Sequence, residues 1–241
     1  MALYALSDLH LSNSITNKPM DVFGPAWENH MSRIKENWSD IVKPEDSVLI
    51  PGDISWATYL EDCAPDFEYI QNLPGTKYIV RGNHDYWWAT KAKIEKYLTN
   101  NGFDSIKIIQ NEAVVIEDNV VTGTRGWILP SDSKFKEQPD RKIYDREVLR
   151  LQICLSELTK ADPDHTLRRI VMFHFPPVLP SDMNSELIKS VIASDVDLCL
   201  YGHLHGLGFK NLVEGKVELL EKSTELKCVS GDFLKFKPLS L

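Results

Sequence analysis

Residues 77–85, Lys-Tyr-Ile-Val-Arg-Gly-Asn-His-Asp, decide how the chain is read. The run Lys77–Val80 has the character of a short buried strand, and it empties into the polar loop Arg81-Gly82-Asn83-His84-Asp85. A glycine there lets the backbone bend sharply while three successive polar side chains are presented, although an Asx-type turn suits the same residues. The pattern recurs upstream. Ala2–Leu6 ends in Ser7-Asp8, and Ser47–Ile50 ends in Pro51-Gly52-Asp53. Between those two runs Trp27, Met31, Ile34, Trp38 and Ile41 step by 4, 3, 4 and 3, an apolar helical stripe that Pro44 terminates. Helices are also predicted near 57–72 and 90–100, so the first half of the chain has a βαβ rhythm.

The middle changes character. Ile106–Ile109, Ala113–Ile116 and Val120–Thr122 are short strand candidates only a few residues apart, which predicts a local antiparallel meander. A helix of about 20 residues follows, its Tyr144, Val148, Leu151, Leu155 and Leu158 again stepping by 4 and 3, and it ends before Pro163. Strands at Ile170–Phe173 and Val196–Leu200 flank a helix near 184–194, and the tail from Gly208 alternates like several strands. No repeat or linker interrupts this order, so 1–241 is expected to form a single domain.

Composition narrows the function classes. A net charge of −8 argues against a general nucleic-acid binder or a partner of anionic membranes, because such binding rests on Lys and Arg neutralising phosphates. The first residues are neither basic nor followed by a long apolar run, so the protein is expected in the cytoplasm. Cys63, Cys154, Cys199 and Cys228 form no C-x-x-C pair, which leaves reduced, buried thiols as the expectation.

Five of the seven histidines fall in the polar segments at predicted strand ends: Asp8-Leu9-His10, Gly52-Asp53, Gly82-Asn83-His84-Asp85, His174, and Gly202-His203-Leu204-His205-Gly206. Ligands of open α/β sheets bind beyond the carboxyl ends of the strands, where all five segments are predicted to lie. Imidazole nitrogen with carboxylate or amide oxygen suits borderline divalent ions such as Mn, Fe, Zn, Co or Ni. Each piece alone has an ordinary explanation: Gly-Asp suits a turn, and His174 beside Val171-Met172-Phe173 suits a core histidine. His30 and His165 lie outside the series and are expected on solvated surface.

In order and spacing the five segments resemble the signature of the calcineurin-like metallophosphoesterases, across residues 8–206. The resemblance implies an α/β fold of four αββα layers with mixed sheets, and two divalent metal ions, manganese first among them. Asp8, His10 and His205 would hold one ion and Asn83, His174 and His203 the other, with Asp53 bridging. His84 would stand beside the substrate phosphate, with Asp85 or a more distant carboxylate orienting it. Two cations about 3.5 to 4 Å apart lower the pKa of a bridging water and neutralise charge during in-line displacement. Arg125 is a candidate for reaching a phosphate by a two-pronged hydrogen bond, or else for a surface ion pair. Tyr86, Trp87 and Trp88 are candidates for a flat substrate wall or for core.

Two departures narrow the family. Gly52-Asp53-Ile54-Ser55-Trp56 lacks the Arg-Gly that follows Gly-Asp in the protein phosphatases, and Trp56 stands where purple acid phosphatases have a ligating tyrosine. The expected function is hydrolysis of phosphate mono- or diesters, with a small molecule as the expected substrate. A nucleotide pyrophosphohydrolase or Ser/Thr protein phosphatase is the enzymatic alternative and a metal-holding scaffold the non-enzymatic one.

Overall fold

The computed structural model describes residues 1–15 and 20–241 and divides into two compact units, residues 1–108 with 229–241, and residues 109–228. Both are α/β, each built on a mixed sheet flanked by helices.

In the first unit β1 (Leu3–Ala5), α1 (His30–Ile41), β2 (Ser47–Ile50), α2 (Ala64–Gln71), β3 (Thr76–Ile79), α3 (Lys91–Asn100) and β4 (Ile106–Ile108) alternate as predicted. Strands β1 to β4 are parallel neighbours in sequence order, and the terminal strand Leu239–Ser240 pairs antiparallel with β1 at the edge. The register sets Ala5 against Leu49, Ile50 against Ile79, and Ile79 against Ile108, which brings the strand ends level. Trp27 belongs to a 3-10 turn, Pro25–Trp27, rather than to α1, because Asn29 takes a left-handed φ of 51° and breaks the helix there. The apolar stripe survives the break: Trp27, Ile34 and Trp38 are all buried in one core with Leu60, Phe67, Ile94 and Phe103. Trp38 also donates its indole N–H to the Pro74 carbonyl at 2.9 Å, so its truncation would cost about 3–5 kcal/mol.

The second unit runs β5 (Ala113–Ile116), β6 (Asn119–Thr124), α4 (Glu137–Ala161), β7 (Arg168–Phe173), α5 (Glu186–Ala193), β8 (Leu198–Tyr201), β9 (Gly215–Leu219) and β10 (Lys222–Cys228). Its strand order is β5-β6-β7-β8-β10-β9. Strands β6, β7, β8 and β10 are parallel, while β5 and β9 close the edges antiparallel. The antiparallel meander predicted for 106–122 is therefore only a hairpin of β5 and β6; β4 extends the parallel sheet of the other unit. Short spacing brought three strands together in sequence, but the apolar partner of Ile106 and Ile108 is the core of the first unit. On α4 the predicted stripe Tyr144, Val148, Leu151, Leu155 and Leu158 is buried, and α5 is capped by Ser185, whose hydroxyl accepts from the Ile188 amide. All four cysteines are free and buried. Among the described residues no helix is long and apolar enough to cross a membrane.

Asp46 aligns the strand starts of the first unit. Its carboxylate accepts from the Ala2 amide at 2.7 Å and the Lys43 amide at 2.9 Å, while its carbonyl accepts from the Thr76 amide at 2.8 Å. One residue thereby touches the starts of β1, β2 and β3. The Ala2 amide is the main reason that the carboxyl titrates below its ordinary range. Asp46→Ala is expected to lower stability at neutral pH by about 1–3 kcal/mol. A carboxyl more acidic in the folded chain stabilises fully above its unfolded pKa and loses that contribution as pH falls through the folded value. Urea unfolding should therefore show the gap between wild type and variant narrowing below about pH 4.

Candidate metal-binding and catalytic residues

In the first unit the predicted residues follow the level ends of β1, β2 and β3, and the backbone there is strained. Asp8, His10 and Asp53 have φ of 57°, 45° and 55°. Left-handed backbone in a residue with a side chain costs on the order of 1–3 kcal/mol and persists only where surrounding bonds impose it. Here those bonds join the two loops: the Asp8 amide donates to the Gly52 carbonyl, His10 to Asp53 and Leu11 to Ile54, at 3.0, 3.0 and 2.9 Å. The result gathers ligand atoms. His10 Nε2 lies 3.9 Å from Asp8 Oδ1 and 3.6 Å from Asp53 Oδ2, all three side chains being buried. The Ser7 hydroxyl donates to the other oxygen of Asp8.

Gly82 is present for close approach. The sequence reading gave it a sharp bend, yet its φ is not left-handed; instead a Cβ at this position would lie 2.1 Å from Asp53 Oδ1 and 2.2 Å from the Asp53 nitrogen. Only glycine lets the β3 loop pass the Asp53 carboxylate, whose Oδ1 then accepts from the His84 amide at 2.8 Å. Asp85 lies fully buried behind this contact. It accepts from the amides of Asp53, Ile54 and Gly82 at 3.0, 2.8 and 2.7 Å, and from the Trp87 indole at 3.1 Å. Burial pushes its pKa up and the backbone amides pull it down, with burial dominant. Asp85 holds loops in place.

Aromatic rings set the directions of two histidines. Trp56 stacks on His10 with centroids 5.1 Å apart and tilts over His84 at 4.4 Å, while Trp27 meets His10 edge-on at 5.4 Å. The Trp56 N–H is spent on Met20 Sδ at 3.1 Å, so the ring serves as a wall. Sequence reasoning weighed Trp56 only as a lost ligand and missed this packing; its position between two predicted site segments was the available signal. His30 corrects an expectation: it is buried against Trp27 and Phe236, with Nε2 3.3 Å from the His10 carbonyl, and burial lowers its pKa. Its place on the buried face of α1 put it there. His165 is exposed, as expected. Tyr86, Trp87 and Trp88 form no common wall, for Trp87 packs on Phe67 in the core while Tyr86 is exposed. Asn83 and His84 are half-buried.

In the second unit His174 follows β7 and is fully buried, and His203 follows β8 with a left-handed φ of 70°. His203 Nδ1 and His174 Nε2 are 3.3 Å apart. Two imidazole nitrogens on one cation, each about 2.0–2.1 Å from it, would stand roughly 3 to 3.5 Å from each other, so the pair fits a shared ion. His205 is half-buried at the start of the 3-10 turn Gly206–Asn211. Arg125 pairs with the buried Glu147 at 3.3 Å and lies over the Trp127 ring at 4.5 Å. The guanidinium is thus paired, with a buried carboxylate rather than on the surface, and the Arg125 carbonyl accepts from both His174 and Phe175, at 3.1 and 2.9 Å. Glu147 also accepts from Thr124 at 2.7 Å and from Arg150, which fixes the loop before His174.

The chain resembles by fold a protein of unknown function from Aquifex aeolicus, with a TM-score of 0.50 and 18% identity over 99% of this chain and 95% of that one. It resembles likewise phosphopantetheinyl hydrolase from Mycobacterium tuberculosis (0.53, 15%, covering 100% and 95%) and the protein TT1561 of Thermus thermophilus (0.55, 13%, covering 99% and 97%). At these identities the likeness shows the fold alone. Curated proteins give no significant match. The family model of the calcineurin-like phosphoesterases matches residues 1–207, a span that contains all seven predicted ligands and His84, and the chain therefore belongs to that family of metal-dependent phosphoester hydrolases.

Proposed function

We propose that the chain hydrolyses phosphate mono- or diesters of small molecules with two divalent transition-metal ions, manganese before iron, zinc, cobalt or nickel. The observation that carries this reading is the strained backbone at Asp8, His10, Asp53 and His203, four of the seven predicted ligands. Left-handed backbone occurs elsewhere in the chain as well, at Asn29 and Asn111 for example, so the weight falls on its coincidence at Asp8, His10 and Asp53 with buried ligand atoms 3.6 and 3.9 Å from His10 Nε2. In this reading Asp8, His10 and His205 serve one ion, Asn83, His174 and His203 the other, and Asp53 both. The ions would supply Lewis acidity toward the phosphoryl group and an activated water.

The chain's own residues do the rest. His84, its ring restrained by Trp56 and its amide tied to Asp53, contacts the phosphate and protonates the leaving oxygen. Asp85 acts through the loops it holds and touches neither substrate nor metal. Arg125, pinned by Glu147, offers a fixed guanidinium to the substrate. We read 1–241 as one functional domain, because the family model runs without a break through residues of both units, and we assign the protein to the cytoplasm. A pyrophosphohydrolase or a protein phosphatase would use the same residues, but the missing Arg-Gly after Asp53 disfavours the latter. A scaffold would not require His84.

Elemental analysis after reconstitution should find about two manganese ions per chain; saturation at one would remove the dinuclear reading. His84→Ala is expected to keep that metal content. If His84 donates the proton, kcat/KM for an alkyl phosphate ester falls on the order of 10²- to 10⁴-fold, while a p-nitrophenyl ester, whose leaving group departs without a proton, loses little. Equal losses on both esters would leave His84 with charge stabilisation alone, and no hydrolysis of any ester by fully metallated wild type would favour the scaffold.

A further inference from the structure

A cavity of about 250 Å³ opens beside His203 and His205 within the second unit. At about 30 Å³ per water it holds on the order of eight water-sized groups, the size of a substituted six-membered ring. One wall is Trp127, Phe175, Leu179 and Leu204, the last three buried, while Asp132, Lys134 and Asn211 supply polar groups elsewhere in the lining. Trp127 is held on several sides: its N–H donates to the Asp140 carboxylate at 3.1 Å, the Arg125 guanidinium lies over the ring, and Phe175 packs against it with centroids 5.1 Å apart. With its only polar atom committed to Asp140, the indole presents carbon to the cavity. The Phe175 ring continues this wall to His203, 4.0 Å away between centroids. A flat apolar surface thus leads from the cavity to a predicted metal ligand.

We infer that this cavity seats the leaving group of the substrate, and that the leaving group is flat and apolar, an aromatic ring or its equivalent, with the phosphate directed to His203 and His205. The inference rests on the reading of those histidines as metal ligands. On the Trp127, Phe175 and Leu179 side a sugar or glycerol moiety would strip its hydroxyls of water with little return, since the polar lining of Asp132, Lys134 and Asn211 could receive only those that face it, whereas a ring gains there by area and by offset stacking.

Calorimetric titration of the manganese-loaded chain with methylphosphonate, benzylphosphonate and hexylphosphonate, whose C–P bonds resist hydrolysis, tests it. Benzylphosphonate should bind about 10- to 100-fold more tightly than methylphosphonate. Trp127→Ala should abolish most of that preference and leave methylphosphonate affinity as it was. Gly208→Leu provides a second route: Gly208 lines the cavity, and a Cβ there meets only Leu204, at 3.8 Å, so the new side chain has space to occupy the ring's position. Loss of the benzyl preference in Gly208→Leu supports the subsite even where Trp127→Ala does not fold. Equal affinity for the benzyl and methyl compounds in wild type, or a preference intact in Gly208→Leu, overturns the subsite and leaves the phosphoesterase reading standing. Tighter binding of the hexyl compound than of the benzyl overturns the flat class. Absence of manganese-dependent methylphosphonate binding overturns the reading of the metal ligands and the subsite with it.

Discussion

The carboxylate of Asp85 is the constraint on which the first unit's site depends. It gathers the amides of Asp53, Ile54 and Gly82 and the Trp87 indole onto two oxygens in a place closed to water. Each of those donors would otherwise be buried without a partner, at about 1–3 kcal/mol apiece. The bonds join the loop after β2 to the loop after β3, so Gly82 is pressed against Asp53 and the His84 amide reaches the Asp53 carboxylate. An aspartate at this position therefore fixes the one residue that the proposed mechanism asks to serve both ions. A carboxylate offers two oxygens with about four lone-pair sites to these donors, where an asparagine or a serine offers a single accepting oxygen with two.

Strain and packing then share the work of aiming side chains. Asp8, His10 and Asp53 hold left-handed backbone because amide-to-carbonyl bonds between neighbouring loops leave no alternative. A fixed backbone alone would still leave the imidazoles free to turn about their side-chain torsions. Trp56 and Trp27 close off those rotations at His10, and Trp56 does so at His84. Ring contacts are suited to this because they restrict orientation without consuming the nitrogens that a ligand or a proton donor needs.

What the sequence disclosed, and what it did not, follows from the range of the interactions involved. Strand runs ending in polar loops, the apolar stripes of α1 and α4, and the histidine-bearing segments are local patterns, readable from composition and period. The pairing of β4 is not legible locally because three short strands close in sequence resemble a meander, and only burial of Ile106 and Ile108 in the first unit's core decides between the sheets. His30 carries no sign in its neighbours that it lies under the His10 carbonyl; its position on the buried face of α1 does. The same holds for Gly82, whose reason is a carboxylate 29 residues earlier in sequence, at Asp53.

Substrate choice was the least legible property, and the second unit gives the physical reason. His174 and Phe175 are consecutive, and both amides donate to the Arg125 carbonyl, so one tight connection carries a predicted metal ligand and a wall of the cavity. The ligand is specified by chemistry that few residue types can perform, and it stands out in the sequence. The wall is specified by shape, which Trp127, Leu179 and Leu204 supply from separate loops and which other apolar residues could also supply. Such positions bear no motif. Selection acting on the phosphate would preserve the histidines, while selection acting on the leaving group is free to change the loops around them, which is how one fold serves many esters.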